Sequence, residues 1–419
     1  MKTMSELLSP QKRVLVIGGG VAGLTAALEL SRMGVDTRLV ENGVFPGGHG
    51  AYLACKATDR CLKCNGCLVE DLLRTLSEER PFEIKLQTEI GSIGRKNGGF
   101  RAAFKTMPPV IDPEKCTRCG VCFEKCPPES GGMVLRAPSR HLRPYYAIDP
   151  HVWLGLDPDR RKRLESLCPE GAIDQNPAEM SWAWEGDGLI LATGFEPFDP
   201  GDKKAYRFER FENMITAEHL DMMLRERGRI HRVSDGRAPE NVAFIQCVGS
   251  RDTALGHGFC SRICCGFALR MGLRLVHDDP GVEVTVFYMD IQNFGKDFDR
   301  YYHEAREKMR LVLGLPGDFY ASEGDRIALS YYDEGAQRTV TGEFDMAVLS
   351  IGLMPGPANP FFRDNLDLVA DEDGFLSLPG SADGLVLAGT IEGPLDVAES
   401  IAGAKAAAGR MAKYLSERK

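Results

Sequence analysis

The strongest indication of the fold is a glycine motif that directly follows a predicted buried strand. Residues 13–17 read RVLVI, an apolar run typical of a parallel strand that is buried on both faces. The run leads into Gly18-x-Gly20-x-x-Gly23, and LTAALELSRMG then follows with helical periodicity. The next predicted strand, VDTRLVE, ends in Glu41, 18 residues after Gly23. This order predicts a dinucleotide-binding βαβ unit and therefore an α/β fold.

Each residue type has a physical role in such a unit. Gly18 permits the tight turn, Gly20 lets the backbone approach a pyrophosphate at the helix N-terminus, and Gly23 lets the helix pack closely on the strand. The carboxylate of Glu41 is placed to accept hydrogen bonds from ribose hydroxyls. The motif predicts a nucleotide site formed by Gly18, Gly20, Val21, Ala22, Gly23, Glu41 and Asn42.

Thirteen cysteines form the second strong signal, because they fall into three groups separated by long cysteine-free stretches. A disulfide scaffold would be short and would carry a signal peptide. This chain has 419 residues, and its N-terminus MKTMSELLSPQKR lacks a signal-peptide core. We therefore predict a reducing compartment, the cytoplasm, and thiolates that are held for metal.

The second cysteine group has the most specific spacing. Residues 115–127, KCTRCGVCFEKCP, contain the C-x2-C-x2-C-x3-C-P run of bacterial ferredoxins. The fourth Cys of such a run serves the other cluster in two-cluster ferredoxins, and LCPEGAI at 167–173 looks like the tail of a second run. The spacing predicts a 4Fe–4S cluster on Cys116, Cys119, Cys122 and Cys168. The alternative fourth ligand is Cys126, and the alternative metal is zinc.

The first and third groups are less regular. In CKATDRCLKCNGC the spacing suits a cuboidal cluster, with zinc as the alternative, and the candidate ligands are Cys55, Cys61, Cys64 and Cys67. The third group lies in QCVGSRD and GFCSRICC and comprises Cys247, Cys260, Cys264 and Cys265. Spacing alone does not decide between a cluster and a reactive or disulfide-forming vicinal pair, Cys264-Cys265.

Composition excludes several classes of function. The 51 Lys+Arg and 60 Asp+Glu residues give a net charge of −9 without a long basic run, so no nucleic-acid partner is expected. No run of 18 apolar residues occurs, so no direct membrane span is expected, and any membrane association would go through partner subunits. No Ser/His/Asp or Cys/His arrangement for nucleophilic catalysis is recognisable.

Further segments resemble flavoproteins with two dinucleotide-binding domains, of the thioredoxin-reductase type. These are the glycine pair after Glu41, GLILATG at 188–194, and LVLAGT before the helical ESIAGAKAAAGRMA. The resemblance implies one FAD, with Thr390 where the family usually has Asp. It adds to the nucleotide site the residues Gly47, Gly48, His49, Ala192, Thr193, Gly194, Gly389 and Thr390.

The second dinucleotide site of that family is expected to be missing. The matching strand NVAFIQ at 241–246 is followed by CVGSRD, which contains no G-x-G-x-x-G motif. The chain therefore lacks the glycines that would let its backbone approach a second pyrophosphate closely. We predict a degenerate NAD-like domain that serves as a scaffold.

The combination of QCVGSRD, CSRICC, MDIQNFGKDFD and LAGTIEGPLDVAESIAGAKAAA resembles the flavoprotein A subunit of heterodisulfide reductase over residues 13–415. The resemblance implies several 4Fe–4S clusters, of which we expect three here, one for each cysteine group. It also favours the four cysteines of the third group as ligands near the flavin. It implies a polypeptide that interconverts two-electron flavin and one-electron cluster chemistry. The alternative is a stand-alone FAD-dependent thiol–disulfide oxidoreductase that uses Cys264-Cys265.

The same resemblance sets the expected partners. They are other redox subunits of a multisubunit complex, with a ferredoxin or a hydrogenase or dehydrogenase module as candidates, and a homodimer through the flavin subunit. The family's electron bifurcation is left open here. Arg270 stands where the family commonly has Lys, which keeps the charge and changes the geometry of a residue expected to tune the flavin.

The order of the motifs predicts a FAD domain that is interrupted by an inserted ferredoxin-like α+β domain. The expected FAD-binding parts are 1–106, 181–238 and 356–419. The insert is expected at 107–180 and the degenerate NAD-like domain at 239–355.

Overall fold

The computed structural model describes residues 12–125, 133–143, 145–174, 176–292, 295–296, 298–380 and 383–418. The strands, in chain order, are β1 Arg13–Ile17, β2 Asp36–Val40, β3 Glu83–Lys85, β4 Thr88–Lys96, β5 Gly99–Thr106, β6 Val134–Arg136, β7 Tyr146–Ile148, β8 Met180–Gly186, β9 Gly188–Leu191, β10 Phe195–Pro197, β11 Met214–Thr216, β12 Asn241–Val248, β13 Glu283–Tyr288, β14 Arg310–Leu313, β15 Asp318–Ser322, β16 Arg326–Asp333, β17 Arg338–Phe344, β18 Met346–Ile351, β19 Leu353–Pro355, β20 Val369–Ala370, β21 Leu376–Ser377 and β22 Leu385–Leu387. The helices are α1 Val21–Arg32, α2 Gly66–Glu79, α3 Val121–Glu124, α4 Pro150–Leu154, α5 Pro158–Glu165, α6 Ala217–Arg227, α7 Cys264–Asp278, α8 Phe298–Lys308, α9 Asn359–Leu366 and α10 Val397–Glu417. None of these described helices is both long enough and apolar enough to cross a bilayer.

A parallel sheet with the strand order β22-β9-β1-β2-β3 forms the first structural unit. Val14, Leu15 and Val16 of β1 are completely buried, because β1 is a central strand with neighbours on both sides. Helices α1 and α10 pack against each other, and their small and aliphatic side chains share one core. The turns that follow β1, β9 and β22 therefore lie side by side at one edge of the sheet.

A second parallel sheet has the order β11-β18-β12-β13-β14, and α6, α7 and α8 bury apolar side chains against it. This sheet and these three helices form the second structural unit. The expected second α/β domain is therefore present. Its three-residue strand β11 pairs with β18, so this sheet begins before residue 239, within the segment 181–238 that the sequence analysis assigned to the FAD domain. A strand this short carries no periodic signal from which its sheet could be predicted.

The segment 107–179 is inserted between two strands that are neighbours in one sheet. β5 and β8 are antiparallel neighbours, and Thr106 pairs with Met180 across the gap. Within the segment β6 pairs with β7, and α3, α4 and α5 belong to a separate small core around the fully buried Trp153. The segment is therefore an α+β insertion in the first unit, as the sequence predicts.

Candidate flavin site and cysteine groups

A cavity of about 370 Å³, here called the flavin cavity after the cofactor that the sequence predicts, is bordered by residues that directly follow β1, β9 and β22. This volume lies within the usual range for small-molecule sites, about 300–1,000 Å³. The predicted nucleotide residues that line it are Gly18, Gly20, Val21, Ala22, Glu41, Gly47, Gly48, His49, Ala192, Thr193, Gly194 and Thr390. Gly23, Asn42 and Gly389, which the structure also describes, do not line it.

The three motif glycines are required for different reasons. Gly18 has φ +104°, and a Cβ there would lie 2.2 Å from the Ala192 carbonyl oxygen. A Cβ on Gly23 would lie 1.8 Å from the Gly18 carbonyl oxygen, so Gly23 allows α1 to pack on the turn. A Cβ on Gly20 would meet no atom of the described residues within 4 Å. The protein itself requires the first and third glycines, whereas the space at Gly20 is open to a ligand.

Two polar groups of the cavity wall differ in how they are satisfied. Glu41 accepts hydrogen bonds from the backbone N–H groups of Gly19 (2.5 Å) and Gly43 (2.6 Å), so its carboxylate closes the glycine turn. The hydroxyl of Thr193 is buried and has no partner among the residues that the structure describes. Because a buried hydroxyl normally finds a partner, Thr193 supplies an unused donor and acceptor for a bound cofactor.

The start of α10 closes another side of the cavity. Asp396, the N-cap residue, lines it and accepts from the backbone N–H of Glu399 (2.8 Å), while the Glu399 side chain accepts from the backbone N–H of Asp396 (3.0 Å). The positive end of the helix dipole therefore faces the cavity, and the carboxylates of Asp396 and Glu399 at the same helix end offset part of its charge.

His49 has an ionic partner at the cavity rim. Its Nδ1 lies 2.7 Å from Glu218 Oε1, and its ring stacks on Phe195 with the centroids 4.6 Å apart. Burial is the largest single influence and lowers the pKa of His49. The hydrogen bond and charge of Glu218, together with the charge of Glu196, outweigh it, so the pKa of His49 is raised.

The second cysteine group converges in the insert. One small cavity is lined by Cys116, Cys119, Cys122 and Cys168 together with Ile111 and Ile173. Burial, and then the neighbouring thiols of Cys116 and Cys168, raise the pKa of Cys122 to about 11. The backbone N–H of Ala172 donates to Cys168 Sγ (3.3 Å). The structure thus brings together the predicted set that includes Cys168, whereas Cys126 lies outside the described residues.

The first cysteine group lies on the loop before α2 and on the first turn of that helix, which contains Cys67. Cys64 lines the flavin cavity, while the other three cysteines, Cys55, Cys61 and Cys67, are exposed. The loop is held by α7, because Arg270 Nε donates to Leu62 O (2.8 Å). In addition, Arg274 Nη1 of the same helix donates to Ala57 O (2.8 Å).

The third cysteine group meets where β12 ends and α7 begins. Cys247 is buried and has φ +57°, and Cys264 and Cys265 are the first two residues of α7. Burial, and then the neighbouring thiols of Cys247 and Cys260, raise the pKa of Cys265 to about 11. Burial likewise raises the pKa of Cys264. A raised pKa disfavours a thiolate nucleophile, whereas a bound metal would deprotonate these thiols.

The donor chemistry of these groups fits iron–sulfur clusters. All twelve described cysteines are free thiols. Within the described ranges, no group of three or more His, Cys, Asp or Glu residues is arranged to hold a metal ion. The two observations are compatible, because the four thiolates of a 4Fe–4S cluster bind four different irons and need not converge on one point. The second group, which lines one cavity, fits best.

Comparisons with known proteins identify two domain types in the chain and a set of similar proteins. A model of the FAD-dependent oxidoreductase family matches residues 13–116, and a 4Fe–4S binding domain matches residues 109–129. The A subunit of the H(2):CoB-CoM heterodisulfide,ferredoxin reductase of Methanothermobacter marburgensis is 32% identical over 426 residues, covering 97% of this chain. The iron-sulfur A subunit of the CoB--CoM heterodisulfide reductase of Methanocaldococcus jannaschii is 33% identical over 427 residues, covering 96% of this chain.

The chain is a homologue of the A subunit of heterodisulfide reductase. It spans 64% of the length of each of these two relatives. Solved thioredoxin reductases from Lactococcus lactis and T. acidophilum share its fold, each with a TM-score of 0.52 and 14% identity. The two alignments cover 97% and 98% of this chain, and they cover 100% and 99% of the respective reductase chains. The predicted fold class is confirmed, and the two matched domain families support FAD and 4Fe–4S sites in this chain.

The flavin cavity of this heterodisulfide reductase homologue is also lined by second-unit residues that sequence reasoning did not assign to it. These are Arg262, Ile263, Gly266 and Phe267, whereas Arg270, which also lines the cavity, was expected near the flavin. Arg262 Nη2 donates to Glu399 Oε1 (2.8 Å), so the loop of the third group is tied to the start of α10. The only signal that could have found them is their position beside the vicinal cysteines.

Proposed function

We propose that this heterodisulfide reductase homologue is the FAD- and 4Fe–4S-containing electron-transfer subunit of a heterodisulfide reductase-like multisubunit complex. In this proposal it holds three clusters, one for each cysteine group. The observation that carries the proposal is that Cys64 of the first group and Ile263, which precedes the vicinal cysteines of the third, both line the flavin cavity. Flavin and two candidate clusters would then be neighbours.

The chain's own residues would hold these groups. The open space at Gly20 and the N-terminus of α1 would accommodate the FAD pyrophosphate, the start of α10 would face the flavin, and the hydroxyl of Thr193 would hydrogen bond to the cofactor. When bound, FAD exchanges electrons in pairs or singly, whereas each cluster carries one electron. Arg262 keeps the third group against the cavity through Glu399.

The insert is docked where it could pass electrons to the rest of the chain. Ser139 Oγ lies 2.7 Å from Glu70 Oε1, and Ser77 Oγ donates to His141 O (2.7 Å). Glu70 and Ser77 lie on α2, the helix whose second residue is Cys67. These contacts support a route between the second and first groups, since the insert rests on the helix that carries a first-group thiol.

The proposal also includes the partner subunits, the cellular location and the domain division of the chain. The relatives are named as subunits of reductases for the CoB–CoM heterodisulfide, some together with ferredoxin. We propose that other redox subunits supply and remove electrons here, in a cytoplasmic complex. The division into a FAD domain, an inserted ferredoxin-like domain and a degenerate NAD-like domain is part of the proposal, with the second unit starting at β11.

An anaerobic reductive titration of the FAD-loaded chain, followed by visible absorption and electron paramagnetic resonance, tests the proposal. We expect flavin bleaching together with signals from reduced clusters when a low-potential one-electron donor is added, and no bleaching by NADPH. Rapid bleaching by NADPH without cluster signals would overturn it. Loss of one thiol pair per redox cycle, with no iron at the third group, would support the thiol–disulfide alternative.

Electron bifurcation needs a separate assay. The chain in its native complex is given one two-electron donor and two one-electron acceptors of different potential. Coupled reduction of both acceptors would add bifurcation to the proposed function, while reduction of the high-potential acceptor alone would restrict the chain to simple electron transfer.

A further inference from the structure

A buried ion pair lies between the flavin cavity and the first cysteine group. Lys56, the residue after Cys55, places its Nζ 2.7 Å from Asp221 Oδ1 and 3.0 Å from Oδ2. Asp221 belongs to α6 of the second unit, and both side chains are only 3% exposed. A lysine within a cysteine-rich loop would ordinarily be solvated, so this burial needs an explanation.

The pair is fully hydrogen bonded. The Lys56 ammonium donates to both oxygens of Asp221 and to Ala54 O (3.3 Å), which accounts for its three protons. Asp221 also accepts from the backbone N–H of Ala54 (3.1 Å). Removing two ions from water is nevertheless costly, and apolar residues of similar volume often stabilise a fold as well or better. Stability alone therefore does not account for this pair.

Lys56, rather than Asp221, is the member of the pair that lines the cavity. Lys56 lines the flavin cavity, as does Phe267, whose ring centroid lies 4.8 Å from the Lys56 Nζ. Asp221 is not among the lining residues. Because charges act more strongly in a poorly solvated site and Lys56 is the cavity-lining member, the pair would act on a bound flavin as a dipole with its positive end nearer.

The other cations of this wall are Arg262, Arg270 and Lys63, and they are arranged differently. Arg262 also pairs with a carboxylate, Glu399, but its side chain is 40% exposed. Arg270 donates to Leu62 O (2.8 Å), and its guanidinium lies over the Tyr301 ring. Lys63 is exposed on the loop, although it lines the cavity as well. Lys56 is thus the cavity-lining lysine that is withdrawn from water and fixed by a carboxylate.

We propose that Lys56 is a fixed positive charge that raises the reduction potential of the bound FAD, and that Asp221 is a positioning residue that holds it there. The proposal rests on the FAD occupancy of the proposed function. Two electrons from a redox partner add negative charge to the cofactor, and the nearby ammonium stabilises that charge. Lys56 neither gives nor takes a proton or an electron in this role.

The test is a spectroelectrochemical titration of the flavin in the FAD-loaded full-length chain. Lys56→Met should lower the two-electron potential, with at least a tenfold change in the ratio of reduced to oxidised flavin, about 30 mV. Asp221→Asn keeps an acceptor and removes the counter-charge, so it should raise the potential. The flavin potentials of Lys56→Arg and of the double variant Lys56→Met/Asp221→Leu should differ less from the wild type than those of Lys56→Met and Asp221→Asn.

A matched control separates a charge effect from loss of a buried pair. Arg232 and Asp345 form another ion pair with little exposure, 8% and 11%, and neither lines the flavin cavity. Arg232→Met should lower the melting temperature and leave the flavin potential unchanged. If Lys56→Met folds poorly, the arginine and double variants still provide the comparison.

The outcomes distinguish the two proposals. Wild-type chain that binds no FAD would refute the proposed function. FAD bound at one per chain, with the Lys56→Met and Asp221→Asn potentials unchanged or shifted in the same direction, would refute only the role of Lys56. Opposite shifts of these two variants, with no shift for Arg232→Met, would support it.

Discussion

Replacing Gly20 by Ala should weaken FAD binding without harming the fold. Gly20 has φ −74° and ψ −176°, which Ala adopts without strain, and the added Cβ meets no atom of the described residues within 4 Å. Gly→Ala at a compatible position stabilises by about 0.4–1 kcal/mol through the unfolded state. The methyl group would instead occupy the space through which a pyrophosphate approaches the backbone. We expect at least a tenfold loss of FAD affinity, about 1.4 kcal/mol.

Gly23→Ala is the contrasting variant, because its added methyl group has no free space. There the new Cβ would lie 1.8 Å from the Gly18 carbonyl oxygen, so the protein itself must shift. Overpacking of this kind costs about 1–3 kcal/mol, so both the apoprotein stability and FAD affinity should fall. Gly409→Ala, on the exposed face of α10 with no described atom within 4 Å, is the control and should not affect FAD binding.

Flavin-fluorescence titration of the deflavinated variants and thermal unfolding of the apoproteins provide the two readouts. Gly20→Ala should separate them, with FAD affinity reduced and the melting temperature unchanged or slightly higher. FAD affinity within twofold of the wild type would refute the assignment of Gly20 to the pyrophosphate. Apoprotein destabilisation as large as that of Gly23→Ala would refute the interpretation of the open space.

Three further predictions concern the metal and charge sites. Cys168→Ser should remove about four irons per chain, whereas Cys126→Ser should retain them; iron analysis that shows the reverse would reassign the fourth ligand. Because the His49 pKa is raised, the stability from its pairing with Glu218 is present below about pH 6.5 and lost as pH rises through the folded-state pKa. The melting temperature of Glu218→Gln should therefore fall below the wild type at acidic pH and match it at higher pH; a pH-independent difference would contradict this. Burial raises the pKa of Cys247 in the third group and the charge of Arg251 opposes that rise, so Arg251→Gln should lower the cluster's midpoint potential and Arg251→Lys should preserve it. An unchanged potential in both variants, measured by electron paramagnetic resonance, would argue against a charge effect.

Local pattern was sufficient to predict the nucleotide turn and its strand and helix. The apolar run, the glycine spacing and the helical period all act over a few residues, so they do not depend on distant contacts. The same holds for the ferredoxin-type run in the second cysteine group. The addition of Cys168 to that run came from a known spacing pattern, and the structure brings its thiol to the same cavity.

The contacts between the two units could not be predicted in this way. Lys56 and Asp221 are 165 positions apart, and nothing in either local sequence indicates that they meet in a buried pair. Arg262 likewise reaches Glu399 from 137 positions away. Such pairs depend on how the second sheet sits against the first, which a single sequence does not encode in any local period. They also explain why the cavity has more charged wall residues than the glycine motif suggests.

We propose that three groups of thiolates hold iron–sulfur clusters around one flavin. The decisive measurement is quantification of iron, acid-labile sulfide, zinc and FAD in anaerobically purified protein. We expect about twelve irons and about twelve sulfides per FAD, four of each per cluster, with no stoichiometric zinc. About four irons per FAD, or zinc in place of iron at the first group, would contradict it.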